Sequence, residues 1–492
     1  MPTRTARETA RPARAAKKSP RGTKEAAVKA AGAVLVVNMM PRSMSFEEEQ
    51  DSEPTVAVNP ANPLQIAASA FTADPGGGRF APIFTSVNGG LTWTLKSIVP
   101  SEDSDGTAIT GDITVSFATK GNRLYAGIIR LPTVARHPRL NILRTDDFQS
   151  GAPMKVLVDR TGFGIDQPFV QASTVASGPD KGKDRLYVGD NDFNATPASA
   201  TIDQSLDAGK PTPSFTSVRI ESRTPSSQDG PPVRPAIHPD GTVYAVYHSW
   251  RTFASSGLGT ADVVVVRDDT GGSGPKKFQS LVDPADGKAG VRVVKNVKFN
   301  FKGVLGFQRT GGDVSMAVDP SNSSIIYIAY NDDIGADYVL HVLRSTDRGV
   351  TWSGDVRTLR NALNPALAIN AAGKVGLLSQ QLTGSGASQR WVTQFETSVN
   401  GGATWTTITL ATVPLDIPRK FHPYLGDYDH LLSVGNDFYG VFSTGNTPDK
   451  ANFPKGVTYQ RNANFTTRKL LDVDNITEVR PSIDPFFFKV TG

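Results

Sequence analysis

Seven passes over one strand–turn–strand pattern, an eight-residue phrase written three times, and the lack of any sustained 3.6-residue apolar stripe after residue 54 predict an all-β fold. The architecture they predict is a β-propeller of four-stranded antiparallel blades, whose ring hides the sheet edges each unit alone would leave open. Composition agrees: 38% of the 492 residues are hydrophobic and 20% charged, and 46 Gly with 34 Pro supply the punctuation that many short strands need. The units count to seven blades; six or eight stay open because a strand from either chain end can close the ring.

Each unit begins with a short alternating strand. These read PTVAVNP from Pro54, DITVSFA from Asp112, QPFVQAS from Gln167, VRPAIHP from Val233, DVSMAVDP from Asp313, NPALAIN from Asn364 and HPYLGDY from His422. The second strands read QIAASAF, RLYAGIIR, RLYVGDND, TVYAVYHSW, IIYIAYND, KVGLLSQQ and DFYGVFSTG. Asn-Pro, Asp-Pro, Gly-Asn and Asp-Gly turns bound them, which is strand grammar. Spacings of 66 and 80 residues after the third and fourth units place long surface loops near residues 196–230 and 271–312. For closure, Val479 to Val490 adds a strand beside the first unit, with Ala33 to Met39 as the rival closing strand.

The charge is uneven. Residues 1–29 hold nine Lys and Arg against two Glu, so they carry +7 of a chain total of +5, and the remainder carries −2. A flexible basic tail over residues 1–50 and a propeller over residues 51–492 follow. The propeller is not a basic nucleic-acid surface, so no nucleic-acid partner is expected for it. The apolar run Ala30 to Val37 resembles a secretory leader, yet the basic stretch before it is too long and no small-residue cleavage site follows. An extracellular location is thus suggested without a convincing signal peptide. No run reaches the roughly 18 apolar residues of a membrane-spanning helix. Cys is absent, which excludes disulfides, thiolate metal sites and a cysteine nucleophile.

The phrase is SVNGGLTW from Ser86, STDRGVTW from Ser345 and SVNGGATW from Ser398. Its Asn or Asp accepts backbone N–H bonds inside a turn, its Gly takes positive φ, and its Trp offers a plate for packing between blades. Its polar residues are therefore read as turn locks. The phrase resembles the Asp box, or BNR repeat, of sialidases and related propellers, with worn copies at Arg144 (RTDDFQSG) and Gln204 (QSLDAGK). The resemblance implies a glycan ligand at the central funnel, and in sialidases three arginines on the substrate carboxylate, a Tyr nucleophile and an Asp acid/base. Arg234 and Arg480, each in a VRPxI context, and Tyr424 are the positions that match this pattern; an Arg-Ile-Pro near the first blade is missing.

Residues heading first strands and ending second strands converge on a propeller's axis. They nominate Asp112, Asp166 and Asp313 as catalytic carboxyl groups, alongside Tyr424. A glycosidase needs two carboxyls roughly 5–10 Å apart, although an Asp at a strand head also commonly caps a turn. Arg234, His248, Trp250, Arg251, His422 and Arg480 are nominated for substrate binding, with Trp250 and Arg251 as a stacking and hydrogen-bonding edge. Asp190, Asp192 and Asn194 alternate like the opening of a calcium loop but lack its later Gly and acidic ligand. No other cofactor is expected. Function stays open between a glycoside hydrolase, a non-catalytic lectin-like propeller and a protein-interaction scaffold, acting as a monomer on a glycan or glycoconjugate.

Overall fold

The computed structural model describes residues 32–71, 83–100, 102–103, 106–132, 139–160, 165–196, 198–224, 232–302, 305–310, 313–335 and 337–492. Among them there is no α-helix, only three single-turn 3-10 helices. Every strand pairing within a blade is antiparallel. The inner strands are Ser52–Val58, Gly106–Phe117, Ile165–Thr174, Val233–Ile237, Val314–Asp319, Ala362–Ile369 and His430–Val434. Each touches the next, and the seventh touches the first. That closed cycle defines a propeller of seven blades.

Blades one to six are meanders running outward from the inner strand, and blade two adds a short fifth strand, Glu102–Asp103, on the other side of Gly106–Phe117. Blade seven differs. Its order from the axis is His430–Val434, Asp437–Gly445, Ile483–Val490, then Val34–Asn38, so both chain ends close the ring within one sheet. The two rival closing strands are neighbours there, Val34 opposite Val490 and Asn38 opposite Phe486. Residues 32–50 accordingly belong to the propeller rather than to a tail, because their apolar side chains complete the last sheet. Residues 1–31 of the expected tail lie outside the described residues. HPYLGDY is not a strand either: the seventh inner strand starts at His430, and the loop before it passes so close to blade one that a Cβ on Gly426 would lie 2.5 Å from Glu53 N.

Inner strands are edge strands, and their N–H groups on the axial side need partners. Hydroxyls of the preceding blade supply them. Thr55 Oγ1 accepts from Val115 N (3.3 Å), Thr114 Oγ1 from Val170 N (2.9 Å) and Ser315 Oγ from Leu367 N (2.9 Å). At the closing seam the acceptor is a histidine: Val56 N donates to His430 Nδ1 at 3.2 Å. A ring nitrogen that accepts is unprotonated, and burial followed by the nearby Arg234 charge lowers the His430 pKa to about 4.

The repeated octapeptide closes the third hairpin of blades one, five and six with the same bonds each time. Gly90, Gly349 and Gly402 donate their N–H to Ser86, Ser345 and Ser398 Oγ at 3.0, 2.9 and 3.0 Å. Thr92, Thr351 and Thr404 donate theirs to Asn88, Asp347 and Asn400 at 3.0, 2.9 and 3.0 Å. Each Trp Nε1 returns to the carbonyl of the Gly three residues earlier. The indoles then pack at the joint with the preceding blade: Trp93 edge-on to Phe487 of blade seven, Trp352 against the apolar cluster shared by blades four and five, and Trp405 bonded to Val356 O of blade five. A sequence-local lock thus becomes an inter-blade rivet.

Candidate functional site

The site is built by irregularity in the inner strands. Pairing registers slip between Ser52 and Thr55, Thr110 and Ile113, Asp166 and Phe169, and Leu363 and Ala366, which are bulges at the funnel ends of blades one, two, three and six. In three of them the cause is legible. Pro54, Pro168 and Pro365 have no N–H for the ladder, and the residue before each is pushed out of the right-handed helical region. Glu53, Gln167 and Asn364 take positive φ of 53°, 49° and 53°. For Glu and Gln this costs on the order of 1–3 kcal/mol each, a strain of the kind found at functional sites. The bulge turns those side chains toward the axis.

Every blade contributes. Glu53, Asp112, Gln167, Arg234, Asp313, Asn364 and Asp427, with Tyr428 beside it, come from the heads of the seven inner strands and are all at most 7% exposed. Asp427 Oδ1 accepts from Arg309 Nε at 2.7 Å, and a second bond joins its other oxygen to Arg309 Nη2, giving a bidentate pair. Asp427 N donates to Glu53 Oε1 at 3.0 Å, and Asn364 N to Asp313 Oδ2 at 2.6 Å. Arg234 lies between two rings, its guanidinium carbon 4.7 Å from the Phe169 centroid and 5.1 Å from that of Tyr428.

Protonation follows from this crowding. The Glu53 and Asp112 carboxyls hydrogen-bond to each other, and Asp112 also bonds Asp166. Burial and then the neighbouring carboxyls push Asp112 well above its ordinary range. Glu53 is raised too, chiefly by burial. Asp313 rises to about 7, from burial and the Asp427 charge, offset by its bond from Asn364 N and by Arg234. Tyr428 is held protonated by burial and the same carboxyls. Its hydroxyl, Arg234 Nη2 and Gln167 Oε1 are buried with no hydrogen-bond partner among the described residues. Three unmet polar atoms at one convergence are hydrogen-bonding capacity for a ligand. Below this floor an axial cavity of about 310 Å³ runs to the opposite face, lined by Val58, Phe117, Ile237 and Val434.

The sequence-nominated residues divide. Asp112, Asp166, Asp313 and Arg234 meet in the cluster. His422 stands at its mouth, half-buried, its Nδ1 3.0 Å from Phe307 O and its pKa lowered by burial and by Arg309. Five nominations are corrected by their surroundings. Tyr424 sits in an apolar cluster with Leu363, Trp391 and Ile483, 2% exposed, and burial raises its phenol far from nucleophilic range. Trp250 is fully buried against Phe299, Phe253 and Phe301, so it has no face for a sugar. Arg251 pairs with Asp262 at 2.8 Å inside blade four, where His248 is also buried. Arg480 is 85% exposed and paired with Glu48 at 2.7 Å, away from Arg234.

The calcium reading is corrected as well. Arg160 stands among the acidic groups, 3.1 Å from Asp190, 3.3 Å from Asp192 and 2.7 Å from Asp203, and Asn194 is engaged with Asp192 in a local turn at 2.8 Å. A guanidinium supplies the charge a metal would bring. Another buried carboxyl group, Glu47, Asp51 and Asp484, likewise has Arg461 within 3.2 Å of Asp484 and 3.8 Å of Glu47. Asp427, which the sequence places just after His422 at the funnel, joins the cluster; the cluster residues the sequence did not nominate are Glu53, Gln167, Arg309, Asn364 and Tyr428. Glu53, Gln167 and Asn364 carried a signal, since each precedes the Pro of its first strand as Arg234 does.

No protein-family model and no curated protein matches the chain. Among solved structures it is similar to a protein of unknown function from Dyadobacter fermentans DSM 18053, at 11% identity over 94% of this chain and 99% of that one, TM-score 0.44. It is also similar to the α-L-arabinofuranosidase Arb93A of Fusarium graminearum (12%, 92% and 97%, TM-score 0.45) and to an α-L-arabinanase of Penicillium chrysogenum (12%, 92% and 97%, TM-score 0.43). At such scores the description of this chain stands on its own strand topology.

Proposed function

We propose that the protein is a propeller of the Asp-box, sialidase-like kind that binds a glycan over the axial cluster and cleaves a glycosidic bond there. One observation carries this: the buried carboxyls Glu53, Asp112 and Asp313 lie beside unpartnered Arg234 Nη2, Tyr428 OH and Gln167 Oε1 at the point where seven strands converge. Asp313, protonated to about pH 7, is the proton donor to the leaving oxygen. Asp166, the half-buried end of the three-carboxyl chain, is the acidic group that faces the anomeric carbon or its attacking water, with Asp112 and Glu53 behind it. The positive charge of the transition state falls among these anions.

Sialic acid is not singled out as substrate. Of the arginines named above, Arg234 and Arg309 face the cluster and Arg480 does not, so a set of three on one carboxylate is not assembled among the described residues. The test is a panel of fluorogenic glycosides run with the full chain, Asp313→Asn and Asp166→Asn. Hydrolysis of one glycoside class, lowered at least about 100-fold by either change, is expected. Binding on a glycan array without turnover would replace the enzyme with a lectin, and neither binding nor turnover would sink the glycan reading.

A further inference from the structure

A second cavity opens on the same face, beside the cluster. It measures about 470 Å³ and its walls include Glu48, Gln50, Asp416, Arg419, Lys420 and Arg480. Arg419 connects the two openings. Its guanidinium carbon lies 4.8 Å from the ring centroid of Phe307. Phe307 belongs to the cluster's wall: its carbonyl accepts from Tyr424 N at 3.1 Å and faces His422 Nδ1, and two residues on, Arg309 grips Asp427.

Phe307 is unusual twice over. The residue is 46% exposed, and its backbone holds φ of 65°, a region that bulky residues avoid. Leu305, Gln308 and the 422–425 loop hold it there; Leu425 N, for example, donates to Gln308 Oε1. The other cations of the side cavity are committed, Arg480 to Glu48 and Lys420 to Glu49 at 3.1 Å. Arg419 pairs with no carboxylate among the described residues. A partly exposed aromatic ring with a guanidinium held against it by a cation–π contact, and with no carboxylate on that guanidinium, is a surface that packs against a sugar and donates to its hydroxyls.

We infer that the site takes a chain of sugars rather than a single terminal residue, with one unit over the axial cluster, the next against the exposed side of Phe307 next to Arg419, and further units in the side cavity. This rests on the glycan reading above. The test titrates the full chain with two-unit and six-unit members of the arabino-, xylo-, galacturono- and sialo-oligosaccharide series, by calorimetry. The expected result is a six-unit member binding about tenfold or more tighter than its two-unit partner, with that ratio falling toward one in Phe307→Ala and in Arg419→Ala. Circular dichroism and melting midpoints confirm that both variants fold; should Phe307→Ala not, Arg419→Ala alone decides. Equal affinity for both lengths overturns this inference and leaves the glycan reading standing. Binding of no series at either length overturns both.

Discussion

Replacing Asp313 with Asn separates what the axial cluster does for stability from what it does for chemistry. In the folded protein this carboxyl keeps its proton up to about pH 7, whereas in the unfolded chain it loses it near 3.8. Between those values the native state binds more protons, so the group's contribution to stability is complete below pH 3.8 and is lost as pH rises toward 7. The displacement corresponds to about 4 kcal/mol of lost stability at pH 7 relative to pH 4. Asn cannot ionise, yet its carbonyl can still accept the 2.6 Å bond from Asn364 N. The variant is expected to match the parent near pH 4 and to exceed it progressively, by up to about 4 kcal/mol, at pH 7. Urea midpoints followed by tryptophan fluorescence from pH 4 to 8, with an unchanged denaturant slope, measure this directly. A variant less stable than the parent at pH 7, or a difference that does not vary with pH, would refute the burial argument. Glycosidase turnover should vanish in the same variant, the familiar exchange of stability for a strained functional group.

Two further outcomes follow from the ring. His430 is held neutral with a pKa of about 4, below its ordinary 6.5, so its contribution is present above pH 6.5 and lost as pH falls through 4. His430→Leu should cost about 1–3 kcal/mol at pH 7 by stranding Val56 N, and should flatten the acid side of the stability profile; an unaltered profile measured by thermal melting would count against the seam. Gly90→Ala and Gly178→Ala both place a side chain at positive φ, but the new Cβ meets the Phe487 ring at 2.1 Å in the first and open space in the second. Denaturation should show about 1 kcal/mol lost for Gly178→Ala and roughly 1–3 kcal/mol more for Gly90→Ala; equal losses would mean the blade one to blade seven joint is not tightly packed.

Alternation of apolar residues and turn chemistry act over a few neighbours, so the chain itself determined the all-β repeat, most of its strands and the octapeptide lock, whose bonds span four residues, while the blade count stayed open by one until the closing strands were placed. The heads of the second to fifth inner strands were legible for the same reason, which is why Asp112, Asp166, Arg234 and Asp313 could be named in advance. Only the tertiary structure decided which side chains meet. Glu53 and Asp427 are joined by a hydrogen bond across 374 residues, and Arg309 reaches Asp427 from a loop outside any strand. Burial likewise turned Trp250 and Tyr424 into core and Arg160 into the counter-charge of Asp190, since exposure and ion pairing belong to neighbours that closure of the ring brings together.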